Sequence, residues 1–481
     1  MIQLTRRAAL LTGACLLASP ALAAAPKPPT ATGATALDRY VAIKDPVYGW
    51  TLVNTIRNPG YVTYVIQLTS QTWRSAAEVD QPVWKHWLTI VVPDNPVPGK
   101  GLLYLDGGSV SDKAPAKASD RSIKLAVETG GISAELHGVP NQPLHFTDDP
   151  SKGRSEDDLI AYSRVKNIET KDDFWLVRLA MVKSGVRALD AIQEFLASGP
   201  GGRLKVDQFL VSGGSKRAWT AWLVAAVDPR IVAVMPVVID ALNSEAITRH
   251  QFEAYGEFGG ALKDYVNHGL FPHAIGTPGY QHVLSIEDPY NYRARPRMRM
   301  PKFEINASGD QFFLPDNSQF YYKDLPEEKR IRYVPNARHN LGESDAQDSM
   351  VAFYSTILRN VPRPRYSWIK KADGTLVVRP IDKPVAATLW VATNPNARDF
   401  RKDVIGNAYQ PTSLTLGKDG TYTVRPPNPP KGFSAFFVEL TYDVGAKHPI
   451  KYTSEVSVVP DVYPFKWGQA AAKYASTKGA R

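Results

Sequence analysis

A serine hydroxyl becomes a nucleophile near neutral pH only beside a base, a group that orients the base, and donors for the oxyanion that forms. This chain offers residues for each role. Ser215 lies in Gln208-Phe209-Leu210-Val211-Ser212-Gly213-Gly214-Ser215-Lys216-Arg217-Ala218-Trp219, where an apolar run of strand type meets two glycines and the serine, then a helical pattern. That is the layout of a nucleophile elbow, a sharp strand-to-helix turn that lifts a serine hydroxyl clear of a sheet and needs small neighbours. Gly213 is the small residue two positions before Ser215. Two positions after it, Arg217 stands where glycine is usual, followed by Ala218, so the match to G-x-S-x-G is partial. Gly-Gly-Ser between a strand and a helix is also ordinary turn chemistry, and the segment alone leaves both readings open.

In the elbow's usual setting the acid and the histidine follow the serine in that order, each on a loop after a later strand. Asn306-Ala307-Ser308-Gly309-Asp310 leaves an expected strand, and Asp310 is the acid chosen. Asp316, past Phe312-Phe313-Leu314-Pro315, is the runner-up, and Gly309-Asp310 also reads as a plain turn. Tyr333-Val334-Pro335-Asn336-Ala337-Arg338-His339 leaves the next strand and presents His339 as base. Each residue alone is a weak signal; the ordered set Ser215, Asp310, His339 is the strong one. The oxyanion donors expected are the backbone N–H of Lys216 and one from Gly107-Gly108-Ser109 after an early strand, with Gly108 and Ser109 in view. Lys216 is rejected as the base, because adjacent residues at a helix start point apart. Its ammonium, or Arg217, is left to bind an anionic or carbonyl oxygen. His250, His268, His273 and His282 form no H-E-x-x-H pattern and read as substrate-contact residues, not metal ligands. Trp219 and Trp222, at helical spacing, read as core. No cofactor and no metal are expected.

The elements that must position these residues come from a chain of 481 residues, long enough for a large core and more than one domain. Acids and bases are mixed along it, with a net charge of +10, no long polybasic block and no nucleic-acid signature. The charge suits weak attraction to an anionic surface such as a bacterial envelope. Thr5-Arg6-Arg7 followed by an apolar run to Leu17 and Ala21-Leu22-Ala23 reads as a cleaved export signal over residues 1–23. The paired arginines favour the twin-arginine route, with general secretion the alternative. Loss of Arg6 and Arg7 lowers the net charge from +10 to +8. Cys15, the only cysteine, would leave with the signal, so no disulfide and no cysteine nucleophile are expected. No apolar run approaches the roughly 20 residues of a membrane span. The expected location is periplasmic or secreted.

Residues 24–36 read as a flexible leader. Alternating, β-branched runs at Tyr61–Thr69, Trp87–Pro93 and Gly101–Leu105 are strands, and helical periodicity follows from Ser155 and from about Asp173 to Leu196. Val206–Val211 is a strand, Lys216–Val227 a helix, and Ile231–Ile239 a buried strand that Pro236 weakens. After an insertion at about 242–299, rich in His, Tyr, Gly and Pro, strands resume at Lys302–Ala307 and Arg330–Val334, with a last helix at Ser349–Arg359. The fold class expected is α/β: an α/β-hydrolase domain over 37–362 with a mostly parallel sheet and a lid insertion. Six short runs between Thr375 and Val459 predict a β-sandwich of immunoglobulin or fibronectin type over 363–481.

Gly213-Gly214-Ser215-Lys216-Arg217-Ala218-Trp219, Met181-Val182-Lys183, Asp288-Pro289-Tyr290, Met300-Pro301-Lys302, Asn306–Phe313 and Val334–His339 together resemble the PhoPQ-activated pathogenicity-related protein family, from about Tyr40 into the C-terminal strands. The family is similar to α/β hydrolases, and the resemblance implies the same three residues, Ser215, Asp310 and His339. Its pattern normally reads Gly-Ala-Ser-Lys-Arg-Gly-Trp; Gly214 and Ala218 here are small-for-small changes. The family name records regulation and virulence association, not a reaction. Two functions stay in play. One is an exported serine hydrolase acting on a small-molecule or peptide ester or amide, glucuronoyl-esterase-like carbohydrate esterases being similar at the level of fold. The strands before Gly101 are too few for the propeller of dipeptidyl-peptidase-like enzymes. The other is a non-catalytic binding or signalling protein on a hydrolase scaffold.

Overall fold

The computed structural model describes residues 33–477. The export signal, with Cys15 and most of the leader, lies outside them. Along the chain come α1 (Ala36–Ala42), β1 (Gly49–Asn58), β2 (Tyr61–Thr72), β3 (Val83–Pro93), β4 (Gly99–Leu105), α2 (Asp120–Thr129), β5 (Ile132–Leu136) and a hairpin of β6 (Leu144–Phe146) and β7 (Asp149–Arg154). Then follow α3 (Glu156–Thr170), α4 (Val177–Ala197), β8 (Val206–Gly214), α5 (Lys216–Val227), β9 (Ile231–Val237), α6 (Ser244–Tyr255), α7 (Lys263–Asn267), α8 (Pro278–Glu287), β10 (Lys302–Ala307), β11 (Lys329–Val334) and α9 (Ala346–Leu358). One nine-stranded sheet has the order β1-β2-β3-β5-β4-β8-β9-β10-β11. The first three strands and the β3–β5 contact are antiparallel; every contact from β5 to β11 is parallel.

The parallel strands are buried along most of their length because both faces are covered. Leu103 and Leu105 of β4 join one core, and Leu102 and Tyr104, their alternate neighbours, join the other. Pro236 fits within β9 because the strand's N–H groups alternate in direction. Val234 and Val238 donate to the carbonyls of Pro301 and Ile305 on the β10 side, and only the donor between them is missing.

The reading of the sequence passed over β5. Its five residues, Ile132-Ser133-Ala134-Glu135-Leu136, are all buried, and the buried Glu135 disguises a strand as a helical pattern. Its carboxylate is accommodated by Arg121 at 2.5 Å and Ser122 at 2.8 Å from α2. The long helix expected from Asp173 starts as a 3₁₀ turn at Asp173–Trp175 and becomes α4 only at Val177. Ser155 is the N-cap of α3 but makes no side-chain capping bond.

Beyond α9 the chain forms β12 (Tyr366–Lys370), β13 (Leu376–Pro380), β14 (Ala386–Asn394), α10 (Lys402–Ile405), β15 (Gln410–Ser413), β16 (Tyr422–Val424), β17 (Phe433–Tyr442), β18 (Ile450–Thr453) and β19 (Ser457–Val459). What the structure shows of the expected sandwich is two antiparallel sheets, β12-β13-β16 and β15-β14-β17-β18, with β19 also on β17. They share a core with α9 and with the sheet face that bears Leu102. Thr453 of β18 accepts the Tyr333 N–H at 3.0 Å, covering the edge left open at β11. The tail then crosses the helical segment between β9 and β10: Trp467 lies edge-on to Phe252, 5.9 Å between centroids, and Tyr474 lies 5.3 Å from Phe258.

Candidate functional site

Ser215 occupies the single residue between β8 and α5, with φ +55° and ψ −126°. That is a strained conformation for a residue with a side chain, and such strain collects at sites of function. Its N–H donates to the Val237 carbonyl of β9 at 2.9 Å, which pins the turn from the neighbouring strand. A Cβ at Gly213 would stand 2.8 Å from the Arg217 backbone carbonyl, so only glycine fits there. At Gly214 it would meet only the Tyr104 hydroxyl, at 3.1 Å.

Position 217 escapes the need for glycine because its side chain leads away from the turn. Arg217 Nε donates to the Val139 carbonyl at 2.5 Å, and its two terminal nitrogens grip the Glu156 carboxylate at 2.6 and 2.5 Å. The guanidinium covers Gly107, where a Cβ would lie 3.0 Å from it. Lys216 Nζ reaches Glu156 at 2.8 Å and Asp157 at 3.2 Å. Burial by itself would raise the Glu156 pKa, but Arg217 and Lys216 outweigh it and hold it at about 2. Glu156 also has φ +53°. Neither basic side chain is left for the oxygen-binding role expected of it.

Asp310 follows β10 and is buried. One carboxylate oxygen accepts the Phe312 N–H at 2.7 Å; the other lies 2.7 Å from His339 Nδ1, on the loop after β11. The histidine ring rests against Phe312 and Phe313, at 4.4 and 5.9 Å between centroids. Its Nε2 is buried without a hydrogen-bond partner among the described residues. With Nδ1 facing a carboxylate, neutral His339 carries its proton there and keeps the Nε2 lone pair free. Phe312 and Phe313 also line, with Ser215, a cavity walled in part by Ile247, Leu262 and Phe271 from the segment between β9 and β10. Asp316, the runner-up acid, belongs elsewhere: it pairs with His250 at 2.9 Å and Arg398 at 2.5 Å. Burial opposes its ionisation, yet those two partners prevail and hold it far below the usual carboxylate range.

Lys216 is the first residue of α5, where a backbone N–H has no partner within the helix. Gly108 follows β4, whose Leu105 pairs with Gly213. Ser109 needs correction as an oxyanion donor. Its N–H donates to Asp112 at 2.6 Å, and it faces a second cavity, lined by His86 and His137, not the one that holds Ser215. The insertion histidines do not converge: His268 meets Asp158, His282 meets Asp173, and His273 meets Thr477 and the Tyr474 carbonyl. Among the described residues Asp106, Glu135 and His137 come close enough to share an ion. Arg121 already bridges those two carboxylates, at 2.7 and 2.5 Å.

Reading the sequence for nucleophile chemistry missed Glu156, Asp157, Arg164 and Arg178. Glu156-Asp157-Asp158 was legible as an acidic complement to Lys216-Arg217. The two arginines gave no signal, being ordinary members of helical patterns.

A parallel core with a serine at its strand-to-helix turn, and an Asp–His pair on the loops after two later strands, is the α/β-hydrolase type of architecture. The chain belongs to the PhoPQ-activated pathogenicity-related protein family, whose model matches residues 37–401. It is 37% identical over 460 residues to autocrine proliferation repressor protein A of Dictyostelium discoideum, covering 90% of this chain and 92% of that protein. Among solved structures it is similar to an acetyl xylan esterase from Paenibacillus sp. R4, with 15% identity, a TM-score of 0.48, and 66% of this chain and 92% of that one covered. A glucuronoyl esterase from Solibacter usitatus matches at 11% identity and a TM-score of 0.38, over 67% of this chain and 91% of that one.

Proposed function

We propose that the protein is an exported serine hydrolase that cleaves an ester or amide through an acyl-enzyme, with Ser215 as nucleophile, His339 as base and Asp310 as the residue that orients the base. The observation that carries this reading is the 2.7 Å contact of Asp310 with His339 Nδ1, which leaves Nε2 without a partner. Ser215 Oγ attacks the substrate carbonyl carbon as its proton passes to His339 Nε2; the imidazolium then protonates the leaving group as the carbonyl–heteroatom bond breaks. Water, deprotonated by the same nitrogen, releases the acid and restores Ser215. The oxyanion sits at the N-terminus of α5 on the Lys216 N–H, with Gly108 as second donor. No hydrogen bond joins Ser215 to His339 in the free protein. Such bonds are often long before substrate binds.

The test is a fluorophosphonate label on the mature chain with the modified peptide mapped, followed by ester and amide turnover. Wild type should label at Ser215, and Ser215→Ala should lose turnover by about 10⁶-fold if the three residues act as a unit. Equal turnover by Ser215→Ala would overturn the assignment.

A second reading, a signalling protein on the same scaffold, is favoured by the name of the Dictyostelium relative, a proliferation repressor. It requires that folded Ser215→Ala protein keep its full cellular effect.

A further inference from the structure

The cavity beside Ser215 contains one more cation than its acids neutralise. Its wall bears Arg164, Arg178 and Lys216, with Asp157 as the acid among them. Lys216 and Arg217 are matched by Glu156 and Asp157. Asp157 has its other oxygen 3.0 Å from the Tyr265 hydroxyl. Arg164 is matched by Glu287, Nε to Oε2 at 2.8 Å.

Arg178, on α4, has no carboxylate partner among the described residues. Its Nη1 donates to a carbonyl, that of Lys216, at 2.8 Å. It is 1% exposed, and its Nε has no hydrogen-bond partner among the described residues. Glu287 acts on it only through its field: Arg164 holds Oε2, and Oε1 is buried without a hydrogen bond to Arg178. The Trp219 ring, 4.9 Å from the guanidinium carbon, supplies the cation–π contact that remains. A buried charge left this way is costly, and a partner anion recovers that cost. Burial accordingly pushes the Arg178 pKa down. Arg164 adds a second unpartnered N–H, at Nη2.

We propose that this cavity is a carboxylate subsite, that Arg178 is its anchor, and that the substrate carries a carboxylate close to its scissile bond. The Lys216 carbonyl bound by Arg178 belongs to the residue next to the nucleophile, which puts the guanidinium beside the elbow. The ester preference rests on the reading of Ser215 as nucleophile; the binding of a carboxylate does not. A carboxylate paired to a planar guanidinium fork in a dry site makes charge-assisted bonds, for which a selectivity of about 10- to 100-fold over a neutral isostere is expected.

The carboxylate could stand on the acyl or the leaving side, and two substrate pairs separate these: 4-nitrophenyl hemisuccinate against 4-nitrophenyl butyrate, and 4-acetoxybenzoate against 4-acetoxybenzamide. The anionic member of one pair should win in kcat/KM, and Arg178→Met should abolish the preference. Because the wild-type comparison uses no variant, it decides even if Arg178→Met fails to fold. Calorimetric titration of full-length Ser215→Ala protein with succinate, and with succinamide as neutral control, is the arm that does not depend on catalysis. Succinate binding without any ester turnover would support the subsite while the hydrolase reading falls. Turnover of both pairs without preference would overturn the subsite while the hydrolase reading stands. Absence of both preference and succinate binding would overturn it as well.

Discussion

At the scale of single residues the site depends on one tautomer and one turn. Asp310→Asn would preserve shape but present an amide to His339 Nδ1, stabilising the tautomer with its proton on the wrong nitrogen. A loss of about 10⁴-fold in kcat is expected, with unfolding little changed. A variant within tenfold of wild type would remove Asp310 from the mechanism. Gly213→Ala acts differently. Its Cβ would need the space of the Arg217 carbonyl, 2.8 Å away, so the elbow must shift. Fluorophosphonate labelling should slow by at least about 100-fold, since a displacement near 1 Å costs that much; labelling at the wild-type rate would show that the turn relaxes freely. Ser215, Asp310 and His339 could be picked out because each follows a strand within five residues, a pattern that survives in one dimension. Arg178 was not, because burial without a counter-ion is a property of three dimensions. Ser109 misled for the same reason: glycine-rich spacing identifies a turn but not which N–H within it is already bonded.

At the scale of elements, the parallel strands were legible by their apolar runs, and β5 was lost to a buried glutamate. A second buried acid cluster joins Asp240, just past β9, to Glu304 within β10 and to Tyr333 near the end of β11. The Tyr321 hydroxyl lies 2.7 Å from both Asp240 and Glu304, and Tyr333 reaches Asp240 at 2.6 Å. Burial raises Glu304 from 4.5 to about 7 and carries Asp240 well above its usual range. Between those two Glu304 values the unfolded chain has released a proton that the folded chain retains. The folded state binds more protons, so stability falls as pH rises through that window. Glu304→Gln, neutral at every pH and still able to accept from Tyr321, should flatten this decline, by on the order of 3 kcal/mol at most near pH 8. Melting curves from pH 5 to 8 check it: wild type should lose ground against the variant as pH rises. Parallel curves would show that Glu304 is already ionised in the fold.

At the scale of the whole molecule, the loops bearing Asp310 and His339 are held from outside the central sheet. The chain between β14 and β15 reaches back to both. Asn336 Nδ2 donates to the Tyr409 carbonyl at 2.9 Å, and its Oδ1 accepts the Tyr409 N–H at 3.0 Å, across 73 residues of sequence. The Lys402 N–H donates to the Gly309 carbonyl at 3.0 Å, and Arg338 pairs with Asp403 at 2.7 Å. Gly309 is a glycine of necessity, because a Cβ there would stand 2.9 Å from the Lys402 nitrogen. Lys402 and Tyr409 lie past residue 401, where the family match ends. The C-terminal strands were visible in sequence, but no one-dimensional pattern marks an asparagine as the partner of a backbone so far along the chain. Asn336 also holds φ +55°, which separates its two contributions. Asn336→Gly keeps the backbone at ease and loses both bonds, for about 2 kcal/mol of stability. Asn336→Ala adds the strain of a Cβ at positive φ, about 1–2 kcal/mol more. Both should lower kcat more than they raise KM, because His339 loses its orientation while the cavity wall keeps its shape. If Asn336→Gly unfolds at the wild-type denaturant midpoint and turns over at the wild-type rate, the C-terminal sheets merely adjoin the site; if it fails on both counts, they are what fixes the Asp310–His339 pair in place.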